Sequence, residues 1–395
     1  MIQKRSLACS FSRVAYLVLL SMQLTACGAV RECEVTYRWG QTDPPSVRYR
    51  TNIARLMIAA CDGSSNERLF PYYEESMISI WSPDGDRVIT AGFVDHPFPD
   101  EYYIADLAGG EPVCLTCGAE AWDWPSWSPA GDRIAVSVRS GLYIEDPEGV
   151  ILARNELPRA ALWPSWAPDG RALVFTAWPS AGFEIYRVDA DGSNLANLSA
   201  VMGERPGYAF GAQWSPSGDL IAFHSLEGGA HIAVVSPDGS GEREVARWQS
   251  NWEILEVPNC QPPQWSPDGE MIAFVSTSPY GDHDVFVVRP DGSGLTNVTS
   301  SPGDDYSPVW SPDGERIAFV STRDGDEEVY VANADGSEPV NVSQHPGVTD
   351  GDPAFRPQPA RAEERWGIIA ATAGGAGLVL VLVLGVRRRR GRRNP

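Results

Sequence analysis

One recurring phrase, Trp-Ser-Pro-Asp-Gly, governs what this chain can fold into. It stands at Trp310, followed by Glu315-Arg316-Ile317-Ala318-Phe319-Val320, and close variants begin at Trp81, Trp127, Trp166, Trp214 and Trp265. A decayed copy, Phe355-Arg356-Pro357, ends the series, and successive anchors lie 46, 39, 48, 51, 45 and 45 residues apart. A period in the forties, kept this often, marks a repeat architecture and not a string of separate domains.

The phrase recurs for a physical reason. Ser-Pro-Asp-Gly is a turn: proline pre-sets φ, aspartate bonds the local backbone, and glycine takes the left-handed position. The aromatic ahead of it ends one strand, and the alternation after it, Ile317 and Phe319 against Ala318 and Val320, has the period of another. Two further strands complete each unit. In the sixth they are Val329-Tyr330-Val331 and Val340-Asn341-Val342, joined across Asp335-Gly336, a favoured hairpin turn. Asp191-Gly192, Asp238-Gly239 and Asp291-Gly292 hold the same place in earlier units. Four antiparallel strands per unit of about 45 residues make a propeller blade, so an all-β propeller is expected.

These phrases, with the downstream Asp-Gly, resemble the TolB-type β-propeller repeat, a relative of the WD-type propellers. The resemblance covers residues 33–357, although the Gly-His and Trp-Asp pairs of true WD repeats are absent. It implies the fold strongly and the function weakly, because the matching residues serve turns and packing. Family members include periplasmic binding scaffolds and the non-catalytic propellers of some peptidases, in which the hydrolase is an added domain. The stretch after residue 357 reads as stalk and span, not as such a domain.

Residues 33–70 lack the phrase but carry the later part of a blade. Cys33 to Trp39 reads as one strand and Arg55 to Cys61 as the next, with Asp62-Gly63 as the turn before Arg68-Leu69-Phe70. The missing innermost strand is supplied from the far end, at Asp352-Pro353-Ala354-Phe355, so strands from both termini close the ring and leave no open sheet edge. The 325 residues of the propeller, divided by seven, reproduce the period. Seven blades are expected, with six and ragged ends as the alternative.

Both ends read as envelope targeting. Residues 1–27 have an export-signal pattern: Lys4, Arg5 and Arg13 precede an apolar run from Val14 to Ala26. The run ends Leu24-Thr25-Ala26-Cys27-Gly28, which resembles the bacterial lipoprotein box and implies lipidation of Cys27. Residues 358–365 form a short stalk. Residues 366–386 then read as a transmembrane helix: Gly367 to Val386 are twenty uncharged residues, about 30 Å as a helix. Six arginines in the tail, 387–395, place that end in the cytoplasm and the propeller outside. Between the ends, residues 28–365 hold 52 acidic against 22 basic groups, a net charge of −30 that repels nucleic acid and suits a soluble, exposed surface.

Export permits oxidation. Antiparallel pairing of the two N-terminal strands sets Cys33 opposite Cys61, and a disulfide is expected there, worth about 2–4 kcal/mol. Cys114-Leu115-Thr116-Cys117 falls at the end of a fourth strand with no helix to lower a thiol pKa, so a local disulfide or two packed thiols is expected instead of a redox centre. No second C-x-x-C offers zinc a site. Asn197, Asn297 and Asn341 each begin Asn-x-Ser/Thr, but they share one place in three blades, so the repeat accounts for them.

Chemistry is sparse. No Gly-x-Ser-x-Gly, His-Glu-x-x-His or phosphate loop occurs, and the five histidines lack metal-ligand spacing. Asp304-Asp305 and the Asp324–Glu328 stretch are read as solvated turns, since the EF-hand order is missing; no metal or cofactor is expected. The loops entering the innermost strands are rich in aromatics: Trp122, Trp124, Trp163, Tyr208, Phe210 and Tyr306. A ring of these at the channel mouth could stack sugars or grip a peptide; alternatively they pack between blades. The expectation is a membrane-anchored, extracytoplasmic, non-enzymatic scaffold that binds or senses an envelope protein or peptide. The alternatives are a channel-mouth lyase or hydrolase and a carbohydrate-binding surface protein.

Overall fold

The repeated phrase closes into one hydrogen-bonded turn. In the computed structural model Ser311 N–H donates to the Arg316 carbonyl and Gly314 N–H to the Ser311 carbonyl, both at 2.9 Å. Ser311 Oγ donates to Asp313 Oδ1 (2.7 Å) and accepts from Arg316 N–H (2.9 Å). Serine and aspartate therefore satisfy the turn from within, and the same bonds recur at Ser82 and Ser266. The structure describes residues 34–40, 54–64, 66–68, 80–91, 101–117, 121–157, 161–177, 182–203, 208–247, 261–278, 281–345, 349–357, 367–371 and 380–384.

Each turn links the innermost strand of a sheet to the second. Seven four-stranded antiparallel sheets result. Their innermost strands are Ile80–Trp81, Ala121–Trp127, Ala161–Trp166, Ala209–Trp214, Gln264–Trp265, Asp305–Trp310 and Thr349–Phe355. The second strands bury both faces, as Ile134–Val138 does along its whole length, because every sheet is covered by a neighbour on each side. Apolar clusters fill the boundaries: Ile89, Ile104, Ile134 and Val136 between the second and third blades, and Phe319, Ile317, Val285 and Val298 between the sixth and seventh.

The composite blade forms as the repeat count requires. Thr349–Phe355 pairs with Glu34–Gly40, which pairs with Ala54–Ala60, which pairs with Asn66–Arg68. Val35 stands opposite Phe355, and Thr36 Oγ1 donates to the Ala354 carbonyl at 3.0 Å. This closure makes the propeller seven-bladed and sets the six-bladed alternative aside. The register runs Glu34 to Ala60, one residue short of Cys33. Cys61 is disulfide-bonded; Cys33, its expected mate, lies outside the described residues.

The signal region, Cys27, the stalk and the arginine tail also lie outside them. Within the expected span, Gly367–Ala371 pairs with Leu380–Leu384 as two short antiparallel strands, which differs from the continuous helix read from the sequence. Among the described residues, no helix is long and apolar enough to cross a membrane. The propeller's one described helix, Leu198–Met202, is a single turn capped by Asn197 and Gly203.

Candidate functional site

The seven innermost strands surround a central channel with a cavity of about 670 Å³. Ile80, Trp124, Trp163, Gln213, Gln264, Val309 and Phe355 bring one residue each from the seven blades. Prolines stand two residues before the motif aromatic in five blades: Pro125, Pro164, Pro263, Pro308 and Pro353. They are tolerated because the innermost strand has a ladder partner on one side only.

Trp163 owes its place to a bulge. The pairing register slips between Leu162 and Ser165, between Phe210 and Gln213, and between Tyr306 and Val309. Inside each slip lies a residue of positive φ: Trp163 (50°), Gly211 (67°) and Ser307 (56°). A bulge bends the strand and re-aims the side chain at that point. In the fourth blade it turns Trp163 to the channel, near Trp124, which is 36% exposed.

The six expected aromatics do not form one ring. Trp124 and Trp163 line the channel. Phe210 is fully buried and packs with Leu226, Ala230, Tyr208, Phe183 and Trp163 between blades. Ring contacts run from Trp163 to Phe210 (6.2 Å between centroids) and on to His224 (5.0 Å, stacked). Tyr306 is buried, its hydroxyl donating to Glu327 Oε1 at 2.5 Å. Trp122 lies on the strand Ala121–Trp127, with its side chain outside the described residues. Thus two of the six face the channel, Phe210 packs between blades with Tyr208 beside it, and Tyr306 is buried.

The channel's polar groups went unanticipated: Gln213, Gln261 and Gln264 line it with Ser126. Their signal was the position directly before the motif tryptophan, occupied by Ser126, Gln213 and Gln264 in three blades. Among the described lining residues there is no acid, base or histidine. Behind the wall His224 places its Nε2 3.2 Å from the Gln261 carbonyl. Burial pulls its pKa down to about 4, so it stays neutral at physiological pH.

The acidic stretches are not solvated turns throughout. Asp305 is fully buried at the start of its strand, where Arg323 meets it at 3.2 Å and Ser301 Oγ donates at 3.0 Å. Asp304 Oδ1 accepts from the His283 backbone N–H at 3.0 Å, and Asp324 accepts from the Tyr330 hydroxyl. These carboxylates are spent on internal bonds, which the sequence could not reveal because the partners lie in other strands. A second groove, of about 840 Å³, crosses the turns of the third to fifth blades. Its charges include the pair Arg187–Asp189 at 3.2 Å, and it lies off the channel.

The C-x-x-C is a disulfide, Cys114–Cys117. Its place in the repeat is that of Asn197, Asn297 and Asn341. Each of those asparagines accepts from the N–H three residues on, at 2.9–3.0 Å, and donates to an acid of the third strand: Glu184, Asp284 or Glu328. The Ser or Thr two residues after each asparagine accepts a third-strand N–H, as Thr116 does from Tyr102 at 2.8 Å. The Asn-x-Ser/Thr sequences are therefore blade latches, and in the second blade a covalent bond takes the asparagine's part.

The family model described as "TolB beta propeller domain" matches residues 43–253 and 253–361. An uncharacterized protein of Agrobacterium fabrum is 30% identical over 224 residues, which are 50% of this chain and 69% of that protein. A protein TolB homolog of Chlorobium luteolum is 30% identical over 161 residues, 39% of this chain and only about a third of that homolog's length. The crystal structure of TolB from Acinetobacter baumannii superposes with a TM-score of 0.52 at 18% identity, covering 90% of this chain and 74% of that one. Oligogalacturonate lyase in complex with manganese superposes with a TM-score of 0.54 at 15% identity, covering 80% and 86%. At such identities the solved structures speak for the fold alone.

Proposed function

Because this chain belongs to the TolB beta propeller family, we propose that it is a non-enzymatic binding scaffold of the cell envelope, taking a protein or peptide segment at its central channel. The observation that carries this reading is the composition of the channel wall. Four tryptophans, several prolines and three glutamines offer stacking surface and amide hydrogen bonds, and the described lining residues include no titratable group. A lyase or hydrolase would require convergent acids, histidines or metal ligands beside the aromatics. A neutral glycan is the other ligand that such a wall suits.

We place the propeller outside the membrane, tethered by residues 367–386. In a bilayer every backbone group must be bonded within the segment, which a helix achieves and an isolated pair of strands does not. The six arginines that follow favour a cytoplasmic tail, and Cys27 would add a lipid at the other end.

Photo-cross-linking in intact cells tests the binding role. A benzophenone side chain at Gln213 should trap a defined envelope partner, and one at the exposed outer-strand residue Leu152 should not. Equal trapping from both positions would overturn the reading. Alkaline carbonate extraction tests the anchor: the full chain should stay with membranes, and a chain ending at Pro357 that also lacks Cys27 should be released.

A further inference from the structure

Asp123 stands at a repeat position that three later blades fill with an apolar or aromatic residue. Four residues ahead of the motif tryptophan, the fourth, fifth and seventh blades carry Leu162, Phe210 and Tyr306, and the last two are buried. A carboxylate set against such surroundings is costly unless it is used. Its Oδ2 accepts the backbone N–H of Trp163, across the blade boundary, at 2.5 Å. The adjacent Trp124 backbone N–H also favours the charged form of the carboxyl. Both of these tryptophans line the channel.

The equivalent residue of the next blade shows what the bond does. Gly211 also lies in the left-handed region, and its N–H is held by Thr176 Oγ1 of the preceding blade at 2.8 Å. In both blades a side chain of the preceding blade holds the N–H of the bulged residue. Gly211 adopts that conformation without strain, whereas Trp163 at φ 50° is a bulky residue in a sparsely populated region and has to be held there.

We propose that Asp123 is the positioning residue of the channel site: its charged carboxylate pins Trp163 beside Trp124, and neutralising it releases the pair. The claim deepens the reading of the channel as a binding site and rests on that reading only for its consequence to binding. The strands packed against Asp123 are Ile80–Trp81, Ile134–Val138 and Ala161–Trp166, and none of them carries a titratable side chain. Among the described residues, these strands therefore bring no opposite charge to hold the carboxylate ionised. Although the residue is only half-buried, the protein around the carboxylate pushes its pKa up to about 6. Above that pH the bond to the Trp163 N–H is charge-assisted, and below it that bond weakens to neutral strength.

The test needs no partner. The full chain, solubilised in detergent and labelled with 5-fluorotryptophan, is followed by fluorine NMR from mildly alkaline to acidic pH, with Trp124→Phe and Trp163→Phe assigning two signals. Both should shift with a single midpoint near pH 6, matching the Asp123 carboxyl, while the Trp310 signal stays still. In Asp123→Asn, which keeps an acceptor but cannot titrate, the shift should be lost; in Asp123→Glu it should return with a displaced midpoint. Static signals in the unsubstituted chain, or a shift that survives in Asp123→Asn, would overturn the proposal. Because the titration of the unsubstituted chain is decisive alone, a variant that fails to fold does not shield the idea. Failure to trap a partner at Gln213 with the titration intact would count against the binding role and leave the positioning role standing.

Discussion

The indole Nε1–H of Trp310 donates to the backbone carbonyl of Gln264, one blade back, at 3.1 Å. The bond recurs around the ring: Trp127 to Ile80 (3.2 Å), Trp166 to Ser126 (3.0 Å) and Trp265 to Gln213 (3.1 Å). Each acceptor directly precedes the motif tryptophan of the preceding blade. Trp81 makes the equivalent link to Thr36 Oγ1 at 3.0 Å. The tryptophan therefore ends its strand and also staples its blade to the one before. At one boundary the staple differs: Trp214 Nε1 has no acceptor among the described residues, and the backbone N–H of Trp214 bonds Ser165 Oγ at 3.1 Å instead.

That exception yields a paired prediction. Trp310→Phe removes a bond worth about 1 kcal/mol and some packed surface, whereas Trp214→Phe removes an indole N–H that had no acceptor. Urea unfolding should show Trp310→Phe to be the more destabilising of the two. Equal costs would mean that the indole bond contributes nothing.

Glycine in the downstream hairpin is held by the neighbouring blade as well as by its turn. A Cβ on Gly336 would lie 2.2 Å from the Val298 carbonyl oxygen, while one on Gly170 would meet nothing within 4 Å; both have positive φ. Gly170→Ala should cost only the conformational penalty, about 1–2 kcal/mol. Gly336→Ala should cost clearly more, because the carbonyl must move. Thermal unfolding of the two variants measures the difference.

The Cys114–Cys117 link should be replaceable by the latch it supplants. The chain-entropy account gives about 2 kcal/mol for so short a loop. Cys114→Asn with Cys117→Ala should regain part of the stability lost in Cys114→Ala with Cys117→Ala, since the asparagine can bond both Glu101 and the residue-117 N–H. Reductant should lower the melting temperature of the unsubstituted chain and leave both double variants unmoved at this site.

Buried ionisable groups give stability a pH dependence with opposing parts. Burial, then the charge of Asp146, raises the Glu145 pKa from 4.5 to about 7. A carboxyl whose folded pKa is raised favours the folded state while protonated, so its contribution is lost as pH rises through that window. His224, pulled down from 6.5 to about 4 by burial, acts the other way: its contribution is lost as pH falls from about 6.5 toward 4. Glu145→Gln should therefore stabilise the protein at mildly alkaline pH, with a gain that shrinks toward pH about 5. A gain independent of pH would show that Glu145 is not the titrating group.

The repeat, the strand order and the closure by both termini could be read from residue spacing alone, because a turn such as Ser311–Gly314 satisfies itself from neighbours in sequence. The disulfide at Cys114 and the Asn-x-Ser/Thr latches were legible only as a shared place in the blade; what they bond became visible in the fold.

The candidate site divided along the same line. Counted back from the motif tryptophan, Phe210 and Tyr306 stand at the fourth position, and Trp124 and Trp163 at the third. The fourth buries Phe210 and Tyr306, and the third opens the two tryptophans to the channel. Sequence alone determined that aromatics crowd these strands and favoured seven blades, which the closure of the ring then fixed. The tertiary structure decided which of them a ligand could touch, since a one-residue bulge reverses the face a strand presents. Whether Asp123 bonds Trp163 is settled across a blade boundary, where residues forty apart in the chain meet.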